Sequence, residues 1–147
     1  MIAIDGVLNS DEFTKHCLEE SDDPFYWNIL DPRAILNLKK IIEETSANIV
    51  LSSSWRWDDE AFDAVKYQLK FYGMEIYDIT IMDIMKTMSR TDEIKLYLDE
   101  HPSITKYVIL DDDEIKEPLV DHWVRCLFKN GLTKKLADKA IEILKEK

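Results

Sequence analysis

Tyr107-Val108-Ile109-Leu110-Asp111-Asp112-Asp113 decides the reading of this chain. An unbroken apolar run of this kind predicts a strand buried on both faces, as in a parallel sheet. Three adjacent carboxylates at its end repel one another, and placing them there is unfavourable unless a cation or hydrogen-bond donors compensate. A solvated acidic turn is the plainer alternative. Open α/β sheets hold their ligands outside the carboxyl ends of the strands. The stretch therefore predicts both a fold class and the edge at which chemistry would sit.

Working outward, the same grammar recurs upstream. In Ile49-Val50-Leu51-Ser52-Ser53-Ser54-Trp55-Arg56, an apolar strand over Asn48 to Ser52 runs into hydroxyl and backbone donors. Met1-Ile2-Ala3-Ile4-Asp5-Gly6-Val7-Leu8-Asn9 gives a very short first strand, Met1 to Asp5, ended by Asp-Gly. In isolation that pair is a turn, with Asp capping and Gly at positive φ. Ser89-Arg90-Thr91-Asp92-Glu93-Ile94 resembles a capping box and opens a helix to about Glu100.

Between these segments the apolar period switches from strand to helix. Asp31 caps and Pro32 suits the first helical position, with Ile35, Leu38, Ile41 and Ile42 down one face. Asp58 or Asp59 opens a helix bearing Phe62, Val65, Leu69 and Tyr72, and Gly73 stops it. Glu75 to Thr80 and His122 to Phe128 read as two further strands. Thr133 caps a last helix bearing Leu136, Ala140, Ile143 and Leu144. Asp11 to Glu20 reads as a helix, Asp22 to Leu30 as an aromatic-rich loop, and Ile81 to Met88 as either loop or helix. Strands alternating with helices predict an α/β domain with a parallel sheet. Asp5, Ser52 and Asp111 each fall at a predicted strand end.

The 147 residues fit one domain with a real core. At 46% apolar the chain is too hydrophobic for disorder. No apolar run reaches the roughly 20 residues of a membrane span, and no basic stretch precedes a long apolar one, so no signal peptide is expected. Cys17 and Cys126 lack metal-ligand spacing and read as free thiols in a reducing cytoplasm. The formal charge of −11, with no basic stripe, argues against long nucleic acid. An acidic chain still holds a phosphate ester when a divalent cation lies between the two sets of charges. No heptad marks an oligomer, so the oligomeric state stays open.

In chain order, the four segments resemble the four motifs of the haloacid dehalogenase (HAD) superfamily of phosphohydrolases. Ser53-Ser54-Trp55-Arg56 and the closing Gly131-Leu132-Thr133 resemble a small, near-capless subgroup that includes domains linked to RNA repair. The resemblance implies a Rossmann-like HAD fold over residues 1–147, with about five mostly parallel strands and helices on both faces. It also implies an insert at about 9–30 too small for a cap domain, whose Phe25, Tyr26 and Trp27 would rim an open entrance or pack on the core.

By the same resemblance, Asp5 would be the general acid and a main-chain ligand of Mg²⁺, with Asp111 and Asp112 as the remaining metal ligands and Asp113 facing solvent. Ser52 would bind a phosphoryl oxygen, with Ser53 and Arg56 as further substrate contacts. Arg90, or deeper in its helix Lys95, would offset charge on the nucleophile and phosphate. The plainer readings are a polar turn for Ser52 to Ser54, acidic surface partners for Arg56, and a pair with Asp92 or Glu93 for Arg90.

The chain departs from the family at Ala3, where the motif Asp-x-Asp has its nucleophile. A methyl group neither attacks phosphorus nor ligates a metal. The resemblance thus implies a phosphatase-like protein with hydrolysis impaired or lost, still binding a small phosphorylated ligand through Mg²⁺. The alternatives are an active phosphohydrolase whose working form has Asp at position 3 or a longer N-terminus, and a non-catalytic interaction protein. A receiver domain ranks below these, because receivers place the acidic pair on the first strand.

Overall fold

The computed structural model describes residues 2–4, 8, 30–52, 59–80, 88–127 and 129–145. Asp5, Ser53, Arg56 and Cys17 lie outside these residues, as do the helix expected over Asp11 to Glu20, the aromatic trio at 25–27 and most of the Ile81 to Met88 segment.

Five short strands form one sheet: β1 (Ile2–Ile4), β2 (Ile49–Leu51), β3 (Ile76–Ile79), β4 (Val108–Asp111) and β5 (Trp123–Arg125). Their order is β3-β2-β1-β4-β5 and every pairing is parallel. Among the described residues, four α-helices join or follow them: α1 (Pro32–Thr45), α2 (Asp59–Phe71), α3 (Arg90–Glu100) and α4 (Lys134–Lys145). The chain steps one way from β1 to β3 and then crosses to β4 and β5. The strand order therefore reverses between β1 and β4, which is where such sheets bind ligands. The result is a Rossmann-like α/β fold.

Alternation along the strands divides the core in two. Ile49, Val108, Leu110 and Val124 pack with α1 (Leu38, Ile41), α2 (Val65, Leu69) and α4 (Ala140, Leu144). Val50 and Ile109 pack on the other side with Ile94 and Tyr97 of α3 and with Ile115 and Leu119. Leu38 and Ile41 are fully buried, and truncating either to Ala would cost about 2–5 kcal/mol.

Helix ends follow local chemistry. Asp31 accepts from the Arg33 N–H at 3.0 Å, with Pro32 at the first helical position. Ser89 accepts from the Asp92 N–H at 3.1 Å. Gly73, at φ +83°, ends α2, and the Met74 N–H reaches back to the Leu69 carbonyl at 2.9 Å. The Asp31 N–H donates to Leu8 O at 2.9 Å, tying the start of α1 to the segment that follows β1.

Two expectations need correction. The fifth strand is Trp123–Arg125, not His122 to Phe128. His122 instead ends a 3₁₀ turn, Val120–His122, with its ring stacked on Tyr107 and its Nδ1 2.9 Å from the Tyr107 carbonyl. Beyond Arg125 the partner strand has run out, and the Cys126 N–H takes the Asp111 carbonyl instead. On α4 the expected Ala140 and Leu144 are buried, but their companions in the stripe are Ala137 and Ile141, while Leu136 and Ile143 are half-buried and pack against its border. Small alanines let α4 sit close to α1, and the exposed Lys40–Asp138 ion pair at 2.8 Å spans the two helices.

Candidate functional site

Register places the candidate residues on one edge. Ile4 of β1 pairs with both Leu51 of β2 and Leu110 of β4. The residues that follow those partners are Ser52 and Asp111, so both lie at the carboxyl edge, on the two strands that flank β1. Ala3 lies one position inside that row, between Val50 and Ile109. Ser52 is fully buried, so its hydroxyl is not part of a solvated turn.

Of the three carboxylates at the end of β4, only Asp111 is fully buried; Asp112 is half-buried and Asp113 exposed. Asp111 Oδ1 accepts from the Asp113 N–H at 2.9 Å, a local turn made by the side chain itself. Asp111 Oδ2 lies 3.5 Å from Arg90 Nε. Its carbonyl accepts from Trp123 Nε1 at 3.1 Å and from the Cys126 N–H at 3.0 Å. The acid is thus held through both its side chain and its main chain. That rigidity distinguishes it from an acidic surface turn.

Arg90 opens α3, and its side chain is 14% exposed. Its guanidinium reaches two buried acids, Asp111 and Glu93, the latter through Nη1 at 3.5 Å. The pairing with Glu93 expected of a surface arginine is present, but it is buried and shared with Asp111. Lys95, the alternative cation, is exposed. Among the described residues, Glu93, Asp111 and Asp112 outnumber Arg90 at this edge. The Cys126 thiol feels that charge: burial foremost, then Asp111 and Asp112, push its pKa far up.

The carboxylate oxygens of Asp111 and Asp112 are of the kind a hard divalent cation such as Mg²⁺ takes. Among the described residues no three acids, histidines or cysteines form a metal cluster by themselves, and the expected third contributor, Asp5, lies outside them. Ser53 and Arg56 fall outside as well, so the structure brings together Ser52, Arg90, Asp111 and Asp112.

Two neighbours escape the sequence reading. Trp123 carries a hydrogen bond to the Asp111 carbonyl; the only hint was that a half-buried indole N–H needs a partner. Thr80 follows β3 at the same edge, its N–H donating to Leu51 O at 3.0 Å. It is 1% exposed, and its hydroxyl has no hydrogen-bond partner among the described residues. A cavity of about 360 Å³ among Ile42, Asn48, Lys70 and Glu75 lies at the amino ends of β2 and β3, the wrong edge for this chemistry, and is lined by none of the candidate site residues.

Among the described residues, no helix is long and apolar enough to cross a membrane. No curated protein and no solved structure matches the chain. One family model, described as the HAD domain in Swiss Army Knife RNA repair proteins, matches residues 1–137. With four motif segments in order, and with Ser52 and Asp111 on the strands flanking β1, the chain belongs to that HAD family.

Proposed function

We propose that this chain is a phosphatase-like HAD protein that binds a phosphorylated ligand at the carboxyl edge of its sheet, with hydrolysis impaired or lost. Ala3 in the nucleophile position, on the strand between Ser52 and Asp111, carries the reading. In an intact site a carboxylate at position 3 would attack phosphorus as the ester P–O bond breaks, and Asp5 would protonate the leaving oxygen. A methyl group has no electron pair to give, so the first bond cannot form.

What remains is a binding apparatus. Ser52 would donate its hydroxyl to a phosphoryl oxygen, with Ser53 and Arg56 as further contacts. Arg90, held by Asp111 and Glu93, would direct positive charge toward the same group. Asp111, Asp112 and the Asp5 main chain would hold Mg²⁺, whose charge would neutralise phosphoryl oxygens when bound. No residue of the chain takes over the nucleophile's place in this account.

The ligand class is a phosphate monoester, either a small molecule or a phosphorylated end. The family's RNA-repair description supports an RNA terminus as one member of that class, while the net charge of −11 weighs against contact along an extended nucleic acid.

Thermal unfolding with and without MgCl₂ and inorganic phosphate tests the binding claim. Linkage predicts a rise in Tm that requires both together and that Asp111→Asn removes. An unchanged Tm at millimolar concentrations of both would refute it.

A further inference from the structure

β3 brings one more polar residue to the edge where Ser52 and Asp111 lie. Val50 pairs with Asp78 and Leu51 with Ile79, so the same register sets Ser52 opposite Thr80. The pairing does continue that far, because the Thr80 N–H donates to Leu51 O at 3.0 Å. Neighbouring strands lie about 4.8 Å apart, a spacing at which two side-chain hydroxyls reach one tetrahedral oxyanion.

A bulge decides which face Thr80 takes. Ile76 pairs with Ile49, but the next pair is Asp78 with Val50, leaving Tyr77 as an extra residue in β3. Strict alternation would send Asp78 and Thr80 to the Ile49 side, with Ile76. The bulge moves both to the Val50 side, where Asp78 Oδ2 accepts from the Tyr97 hydroxyl of α3 at 2.9 Å. Val50 and Ile109 pack with Tyr97, so alternation places Ser52 and Asp111 on that side as well. Arg90 of α3 reaches Asp111 there. One face of one edge therefore holds Thr80, Ser52, Asp111 and Arg90. Bulges re-aim side chains in this way and are over-represented next to active sites.

Thr80 is not an ordinary core threonine. It is 1% exposed, and its Oγ1 has no hydrogen-bond partner among the described residues. A buried hydroxyl of this kind carries its desolvation cost uncompensated, and native folds keep few of them. Valine would fill nearly the same shape in a strand without that cost. Local stability therefore does not explain the hydroxyl. Ser52 is buried to the same degree, so the two side chains are covered together.

We infer that Thr80 is a second hydroxyl donor of the oxyanion site, its Oγ1–H directed at a phosphoryl oxygen beside the one that Ser52 takes. The inference rests on the phosphoryl-binding reading and adds to it a residue outside the four motif segments. The competing account is a buried water that satisfies the hydroxyl, with no ligand contact. That account predicts that removing the hydroxyl leaves phosphate affinity unchanged.

The test is the apparent affinity for inorganic phosphate, taken from the rise of Tm with phosphate at fixed MgCl₂, in wild type, Thr80→Val and Thr80→Ser. Thr80→Val should bind phosphate about tenfold more weakly, the scale of one hydrogen bond to a charged group. Its Tm without phosphate should equal or exceed that of wild type, because an uncompensated polar atom is gone. Thr80→Ser keeps the hydroxyl and should restore binding close to that of wild type. Undiminished phosphate affinity in Thr80→Val would overturn this inference and leave the phosphoryl-binding reading standing. A lower Tm of Thr80→Val without phosphate, or its failure to fold, would mark the hydroxyl as structural and overturn the inference too. No rise in wild type would overturn both.

Discussion

The Arg90 guanidinium lies 3.5 Å from the fully buried carboxylate of Asp111, so the first residue of α3 is paired with the last residue of β4. With one partner 14% exposed and the other wholly buried, solvent screens this pair little. Removing one member of such a pair leaves an uncompensated charge, at a cost of about 3–5 kcal/mol. Arg90→Met is expected to destabilise the fold on that scale in urea unfolding, and Arg90→Lys by less. A double-mutant cycle with Asp111→Asn should return a coupling energy above about 1 kcal/mol; additive losses would show that the pair carries no mutual energy.

The Gly73 backbone conformation should matter more than its surroundings. A Cβ built there meets nothing within 4 Å, yet φ is +83°. Gly73→Ala is therefore predicted to cost about 1 kcal/mol through the backbone alone. Gly73→Asn should cost less, because Asn tolerates the left-handed region. Equal urea midpoints for Gly73→Ala and wild type would contradict this.

Loss of the Asp31 cap is predicted to cost about 1 kcal/mol on Asp31→Ala. The same residue's N–H holds Leu8 O, and that main-chain bond survives the substitution. Unfolding with unchanged m-value and a lower midpoint would match a local cap loss.

These caps are also what the sequence made most legible. Asp31-Pro32, Ser89 and Gly73 act within a few residues of themselves, so their readings need no tertiary knowledge. The acidic end of β4 was legible for a similar reason: an apolar run followed by carboxylates has few stable placements. The length of β5 was not, because it depends on how far β4 extends beside it and on the ring stack between His122 and Tyr107. On α4, Ala140 and Leu144 of the buried stripe were legible, but Ala137 was not, since it is core only because α1 approaches closely. The Trp123 bond to the Asp111 carbonyl and the bulge at Tyr77 arise between strands, where no local spacing records them.

Alkaline conditions should expose the burial of Cys126. Burial, with Asp111 and Asp112 nearby, raises its thiol from an ordinary 9.0 to about 12. Between those values the folded state keeps a proton that the unfolded chain has lost. Stability is then fully present below about pH 9 and falls as pH rises toward about 12. Tyr97 and Tyr107, also shifted upward by burial, act in the same direction at somewhat higher pH. Urea midpoints at neutral and alkaline pH should converge less steeply for Cys126→Ala than for wild type; parallel pH profiles would contradict the assignment.

The central claim is that a single missing carboxylate at position 3 separates this site from hydrolysis. The most direct measurement is Mg²⁺-dependent phosphate release from a generic aryl phosphate by wild type, Ala3→Asp and Ala3→Asp/Asp111→Asn. The account predicts background release from wild type, turnover raised by orders of magnitude in Ala3→Asp, and its loss in the double variant. Wild-type turnover equal to that of Ala3→Asp, or a folded Ala3→Asp that stays silent across a panel of phosphate esters, would contradict it.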